Sequence, residues 1–197
     1  MKKSTLMLIC FVLVSINSFS QGIAKKIFSR MEFGIKGGAN YSDFTDANFS
    51  TDPLVGFHGG FTVAYKFTDH FMIQEEFLFS TQGTKVLDGP LGTQELKLSY
   101  FNVPILLKYR TSFGVYIEGG SQVGIKVKED VANFNGTDFA KKIDFAAVGG
   151  IGYQTKIGLG IGARYVYGLG KLSDLNISNI NNDIKNNSIQ GSLFFVF

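Results

Sequence analysis

The stretch LVGFHGGFTVAYKF, residues 54–67, decides the architecture. Its odd positions are Val55, Phe57, Gly59, Phe61, Val63, Tyr65 and Phe67; its even positions are Gly56, His58, Gly60, Thr62, Ala64 and Lys66. Side chains two apart share one face of an extended strand, so one face is greasy and the other polar or small. The same split runs through Met31–Tyr41, where Phe33, Ile35 and Tyr41 oppose Glu32, Lys36 and Asn40. In Val115–Lys128 it sets Val115, Ile117, Val123, Ile125 and Val127 against Tyr116, Glu118, Gln122, Lys126 and Lys128. In Ile157–Gly170 seven apolar residues, Ile157, Leu159, Ile161, Ala163, Tyr165, Tyr167 and Leu169, alternate with glycines, Arg164 and Val166. With Phe71–Thr81, Leu96–Arg110, Ile143–Gln154 and Ser188–Phe197 the count reaches eight, the even number that barrel closure prefers.

The connections alternate in length. They are tight around Asp69, Thr111-Ser112 and Thr155-Lys156, and long at Ser42–Pro53, Gln82–Gln94, Glu129–Lys142 and Lys171–Asn187. Short periplasmic turns and long external loops are the asymmetry of a transmembrane barrel, with both termini periplasmic. The 24 glycines weigh against long helices, because each interior glycine costs about 1 kcal/mol relative to alanine. Beyond the N-terminal segment no apolar run is long enough for a helical span. A soluble lipocalin-like carrier would turn its apolar face inward. Here the minority face carries Gly34, Gly38, Gly56, Gly60, Gly120, Gly124, Gly158, Gly160 and Gly162 beside charges, which suits a narrow interior filled by ion pairs. Aromatics gather toward both strand ends, Phe67, Phe71, Tyr109, Phe113 and Tyr153 at one and Tyr41, Phe57, Phe79 and Tyr167 at the other, like interfacial girdles. The fold expected is an all-β, eight-stranded, antiparallel, up-and-down transmembrane β-barrel.

Residues 1–20, MKKSTLMLICFVLVSINSFS, read as a Sec signal peptide: two lysines, an apolar run from Leu6 to Val14, and small residues suited to cleavage between Ser20 and Gln21. Residues 21–30, with Lys25, Lys26 and Arg30, form a short basic periplasmic lead, and 31–197 the barrel. Cys10 sits in mid-run, where lipidation does not occur, so the mature chain has no cysteine and no disulfide. Without Lys2 and Lys3, 17 basic residues face 16 acidic ones, a balance that offers nucleic acid nothing. At the other end Leu193, Phe195 and Phe197 fall on the lipid face and the chain closes in phenylalanine. That pattern resembles the C-terminal strand recognised by the Gram-negative barrel-insertion machinery. Outer-membrane lipid and that machinery are the partners expected.

The segments FGIKGGANYSDF (33–44), YFNVPILLKYR (100–110), VGGIGYQ (148–154) and ARYVYGLGKL (163–172) resemble the outer-membrane β-barrel domain family, often labelled porin-family protein. The N-x-P-x-L-L-K-Y core at Asn102–Tyr109 and the R-Y-x-Y-G-L core at Arg164–Leu169 carry most of the likeness, which runs from about Glu32 to Phe197. The resemblance implies an eight-stranded barrel in the outer membrane. Some relatives, of the PorT type, are associated with protein secretion.

The inward set is Glu32, Lys36, His58, Lys66, Gln74, Glu76, Asn102, Lys108, Arg110, Tyr116, Glu118, Gln122, Lys126, Asp144, Arg164 and Gln190. An eight-stranded interior is just wide enough for side chains to fill, so Lys36, Glu76, Lys108, Glu118 and Arg164 are expected to form a lumenal plug, Arg164 pairing with Glu76 or Glu118. Turn registry puts Thr62 near Glu76 and Lys108 near Tyr116. A structural or surface-interaction role through the external loops follows, with an unidentified extracellular ligand. The alternatives are a narrow porin-like channel for passive diffusion of small solutes or, as the family resemblance implies, a secretion-associated barrel of the PorT type. Catalysis has one foothold, Ser80 facing His58, and no acid to orient the imidazole. Two histidines and no cysteine leave metal unsupported, and Gly158–Gly162 lies inside a strand rather than opening a helix, so no cofactor is expected. Phe44, Phe49 and Phe134 are the loop aromatics suited to binding. Glu75 falls on the apolar parity and Pro104 lacks a ladder amide, so a bulge or bend is expected at each.

Overall fold

A computed structural model describes residues 21–45, 51–89, 92–131, 140–170 and 184–197. The expected signal peptide, Ser20 of its cleavage site, and the loop aromatics Phe49 and Phe134 lie outside the described residues. The chain divides into two units, Met1–Met31 and Glu32–Phe197. In the first, the basic lead forms a helix, α1 (Gln21–Phe28), with Lys25 and Lys26 in its last turn, where cations complement the helix dipole.

The second unit is the barrel. Its strands are β1 (Met31–Thr45), β2 (Thr51–Lys66), β3 (Phe71–Gly89), β4 (Gly92–Arg110), β5 (Val115–Val131), β6 (Ile143–Gln154), β7 (Leu159–Gly168) and β8 (Lys185–Val196). Each pairs with its chain neighbour, and β8 returns antiparallel to β1, from Gly34↔Val196 to Thr45↔Lys185, to close the sheet. Closure satisfies the backbone without an open edge, which lets such a wall sit in hydrocarbon.

Two short turns are built alike. In Thr111–Gly114 and Thr155–Gly158 the threonine amide donates to the carbonyl of the residue opening the next strand, Val115 or Leu159, at 2.8 Å in both cases. The threonine hydroxyl donates to the same carbonyl. Glycine closes each turn at positive φ, 103° at Gly114 and 91° at Gly158, a backbone other residues adopt only under strain. Gly158 therefore belongs to the turn rather than to the lumenal face where alternation placed it, and β7 starts two residues later than expected.

The long-loop end differs more. Gln82–Gln94, expected as a loop, is mostly strand: β3 and β4 are 19 residues each and form one long hairpin. A tilted spanning strand needs about 10 residues, so these run on by roughly 30 Å along the strand. On the other side β6 has 12 residues and β7 has 10. The wall is thus tall across β2–β5 and short across β6–β7.

No bulge forms at Glu75 or Pro104. Pairing with β3 passes from Glu75↔Ile105 to Leu78↔Asn102 without a slip, and Pro104 stays opposite Gln122 of β5. A missing amide removes one ladder bond and leaves the register intact. Glu75 therefore stays on the outer face, exposed, between Val63 and Ile105. Register slips sit instead between Pro53 and His58 of β2, between Val86 and Gly89 of β3, and, between β4 and β5, at the bulge where Ser99↔Lys128 steps to Tyr100↔Lys126. One extra residue inverts the alternation beyond it. Lys128 and Asp130 turn outward, and Glu129 turns in to pair with Lys126.

Inward glycines make room for two rings. A Cβ on Gly152 or Gly162 would collide with the Tyr116 phenol, and one on Gly160 with the Phe194 ring. Tyr116 and Phe194 pack edge to face at 5.9 Å, filling the lumen toward the short turns.

Candidate functional site

The middle of the lumen is a charged knot. Strand alternation aims Lys36 of β1, Glu76 of β3 and Arg164 of β7 inward, and closure of the sheet brings these non-adjacent strands face to face. Lys36 Nζ donates to Glu76 Oε1 at 2.9 Å and Arg164 Nη1 to Oε2 at 2.7 Å. Gln74 adds a 2.7 Å bond to Oε1, and Arg164 Nε donates to Gln190 Oε1 at 2.6 Å. Glu76 is fully buried and the two cations are at most 7% exposed. A carboxylate in such a place costs several kcal/mol of hydration, which only well-made charged partners offset.

Lys108 and Glu118 form a second, looser pair at 3.7 Å. They are direct register partners, whereas Tyr116 stands opposite Arg110, two positions from where turn registry alone put it. The Lys108 ammonium still lies 3.7 Å from the Tyr116 ring centroid and accepts company from Gln74 Oε1 at 3.3 Å, so it donates to the amide while resting on the ring. Gln74 thereby links the two pairs. Of the two carboxylates considered for Arg164, Glu76 holds it and Glu118 makes no ion pair with it among the described residues. Thr62 is the direct partner of Glu76 on β2.

His58 sits above the knot as a clamp. Its Nδ1 lies 2.6 Å from Asn40 Oδ1 and its Nε2 2.8 Å from Ser192 Oγ, tying β1, β2 and β8 together. Asn40 Nδ2 donates to Phe57 O, Ser80 Oγ and Thr81 O, which fixes its oxygen toward the imidazole. Ser80 therefore bonds Asn40 rather than His58. Alternation alone could not show that Ser192, 134 positions away, would be the hydroxyl that meets the ring. Ser192, His58 and Asn40 have the connectivity of nucleophile, base and orienter, yet they are 5%, 2% and 1% exposed, with no approach for a substrate carbonyl in this conformation.

At the short-turn mouth Arg110 grips both oxygens of Glu32, at 2.8 and 3.1 Å, and donates to Gln154 Oε1 at 2.6 Å. Lys66 adds a 3.2 Å ion pair to Glu32. Glu32, Arg110 and Gln154 border a cavity of about 340 Å³ between the two Thr-x-x-Gly turns.

The long-loop end is apolar inside. Phe44, Leu96, Leu98, Tyr100, Ala140 and Ile184 form one buried cluster. Phe44, expected as an exposed binding aromatic, is 3% exposed within it. Leu96, Leu98 and Tyr100 occupy even, inward positions, and that change from polar to apolar along one parity was the available signal. Outside, Lys85 and Lys97 flank Glu95 at 3.2 and 2.9 Å, and Lys128 pairs with Asp130. A cluster of outward charges costs several kcal/mol in hydrocarbon, far more than the single carboxylate of Glu75, so this part of the tall wall is assigned to the water side of the lipid band. Below it the outer face is apolar, Phe57 and Phe79 packing at 6.0 Å near one end and Phe71 and Tyr109 at 4.9 Å near the other. Leu193, Phe195 and Phe197 are exposed on that face, the last two rings 5.5 Å apart.

Comparison with known proteins agrees with this geometry. Ail, the attachment invasion locus protein of Yersinia pestis, solved in complex with the heparin analogue sucrose octasulfate, superposes with a TM-score of 0.53 at 18% identity, covering 85% of this chain and 99% of that one. Neisserial surface protein A gives 0.55 at 16% identity, over 84% and 97%. OprG of Pseudomonas aeruginosa gives 0.50 at 17% identity, over 83% and 95%. At these identities the likeness is one of fold. No curated protein matches the sequence. The family model for the outer membrane protein beta-barrel domain, however, matches residues 19–174, and the chain belongs to that outer-membrane family.

Proposed function

We propose that this protein is a closed outer-membrane barrel that works from its surface, the tall β2–β5 wall serving as a rigid platform for an extracellular partner. The observation that carries the reading is the pairing of a side-chain-filled lumen with a wall that projects above the lipid band. Buried Lys36, Glu76 and Arg164 block the centre, Tyr116 and Phe194 fill the space below, and an apolar cluster fills the space above. The projecting hairpin presents Lys85, Glu95 and Lys97 on strand rather than on loose loop, so little order need be gained on binding. That Ail was solved with a heparin analogue supports the idea that barrels of this shape can hold an extracellular ligand. Export by the segment 1–20, with cleavage before Gln21 and the short turns facing the periplasm, completes the reading. No catalytic role is proposed, since the Ser192–His58–Asn40 chain serves as a strut.

Swelling of liposomes carrying the refolded chain 21–197 in an isotonic pentose solution tests the choice between platform and diffusion channel. Swelling no faster than that of empty liposomes is expected. Faster swelling would assign the lumen to passive transport.

A further inference from the structure

The exposed side chains of α1 divide by chemistry. Ile27 and Phe28 are 45% and 65% exposed, and residues 25–30 are exposed throughout. The helix has only 8 residues. Helices that short are marginal in water on propensity alone and take most of their stability from an apolar face that packs against something. Among the described residues α1 has no such cover.

Helical spacing sorts the residues onto two sides. Ile27 and Phe28 stand next to each other, and the sequence positions one turn earlier on that side are Ile23 and Ala24. At about 100° per residue, Lys25 lies about 110° and Lys26 about 150° from the middle of the apolar arc. Residues 21–30 hold three cations, Lys25, Lys26 and Arg30, and no acid. The Lys25 and Lys26 ammonium groups make no ion pair among the described residues. One side of the helix is therefore apolar and the other is cationic.

Two observations point to what covers it. The first is charge: a surface that takes both lysines must be anionic above and apolar below, as a phospholipid headgroup layer is. The second is continuity with the lipid face. β1 opens at Met31, and Phe33 is its first exposed aromatic, so the chain enters the lipid band within five residues of Phe28. At about 12 Å the helix is too short to span, and no described helix is long and apolar enough to cross a membrane, so it lies on the bilayer rather than through it. We propose that α1 is an interfacial anchor, flat in the headgroup layer, with Ile27 and Phe28 sunk toward the acyl chains and Lys25 and Lys26 against phospholipid phosphates. The leaflet is the periplasmic one, which rests on the outer-membrane reading with the short turns inward. Nothing in the anchor depends on whether the lumen is sealed or what the tall wall binds.

The chain has no tryptophan, so Phe28→Trp puts a single reporter in the whole barrel. The refolded chain 21–197 carrying it, in phosphatidylglycerol vesicles and with its fold checked by fast migration on unheated gels, is expected to show blue-shifted emission. That emission should be quenched by phospholipid brominated near the top of the acyl chain and shielded from acrylamide. Lys26→Trp, on the opposite side, should show the reverse. Lys25→Gln with Lys26→Gln, added to Phe28→Trp, should lower the ratio of docked to free helix by roughly thirty-fold, about five-fold per lysine. Emission of Phe28→Trp as in water, without bromolipid quenching, would overturn the proposal and leave the apolar face to a soluble partner. Equal quenching of the two reporters would overturn it too, since the helix would then present no face. An unchanged ratio in the lysine variant would remove the phosphate contact. A conducting lumen would leave all of these results as they are, and a tryptophan in water would leave the platform reading as it is.

Discussion

Glu76→Gln removes the charge at the centre of the knot while keeping nearly the same volume. In the wild type the Glu76 carboxylate accepts from Lys36, Arg164 and Gln74 at 2.9, 2.7 and 2.7 Å in a site with no exposure to solvent. The variant leaves an ammonium and a guanidinium buried together around a neutral amide. Breaking a buried pair by removing one partner costs about 3–5 kcal/mol, and because two cations lose the same carboxylate the upper part of that range applies. The triple variant Lys36→Met, Glu76→Gln, Arg164→Met removes the uncompensated charges as well. Exchanging a buried ionic cluster for apolar groups is often neutral or favourable by about 1–4 kcal/mol, so the triple variant should be more stable than the single one. The assay is urea unfolding of the refolded barrel in lipid vesicles, followed by loss of the fast-migrating form on unheated gels and by circular dichroism, since the chain has no tryptophan. A single variant within about 0.5 kcal/mol of wild type, or a triple variant less stable than the single, would refute the reasoning that these charges depend on one another.

Four further outcomes follow from particular contacts. Glu75→Leu replaces an outward carboxylate flanked by Val63 and Ile105 and should stabilise the barrel in vesicles by about 1–2 kcal/mol; destabilisation would mean that Glu75 has a partner within the membrane. Gly162→Ala should cost about 1–3 kcal/mol in the same assay through collision with the Tyr116 hydroxyl, and adding Tyr116→Phe should recover most of it. A membrane-impermeant amine reagent should modify Lys97 and Lys128, whose side chains are 57% and 66% exposed, and spare Lys36 and Lys108 at 4% each, as peptide mass mapping will show. Protein extracted from outer membranes should begin at Gln21; a mass that includes residues 1–20 would remove the signal-peptide reading.

The architecture was legible because a barrel wall has one repeating demand, apolar outward and polar or small inward, and the chain meets it strand after strand. Long-range pairs followed wherever closure alone decides the contact, as for Arg164 and Glu76. Two kinds of feature escaped. One extra residue at the β4–β5 bulge sends Lys128 outward and Glu129 inward, and a register-breaking insertion leaves no mark on composition. The tall hairpin escaped because Gly83, Thr84 and Gly89 look like loop residues, while their ladder is held by partners on the facing strand. His58 shows the same limit within the site. Its partners come from β1 and β8, and sequence distance says nothing about which hydroxyl of eight inward faces will reach an imidazole.

On the proposed reading the lumen is sealed and the outer surface engages the partner. Single-channel recording of the refolded chain 21–197 in a planar lipid bilayer, over a range of voltage and salt, tests it most directly. A folded, heat-modifiable barrel that carries no steady current is the expected result. A stable conductance that scales with salt, and that changes with Arg164→Met or Glu76→Gln, would contradict it.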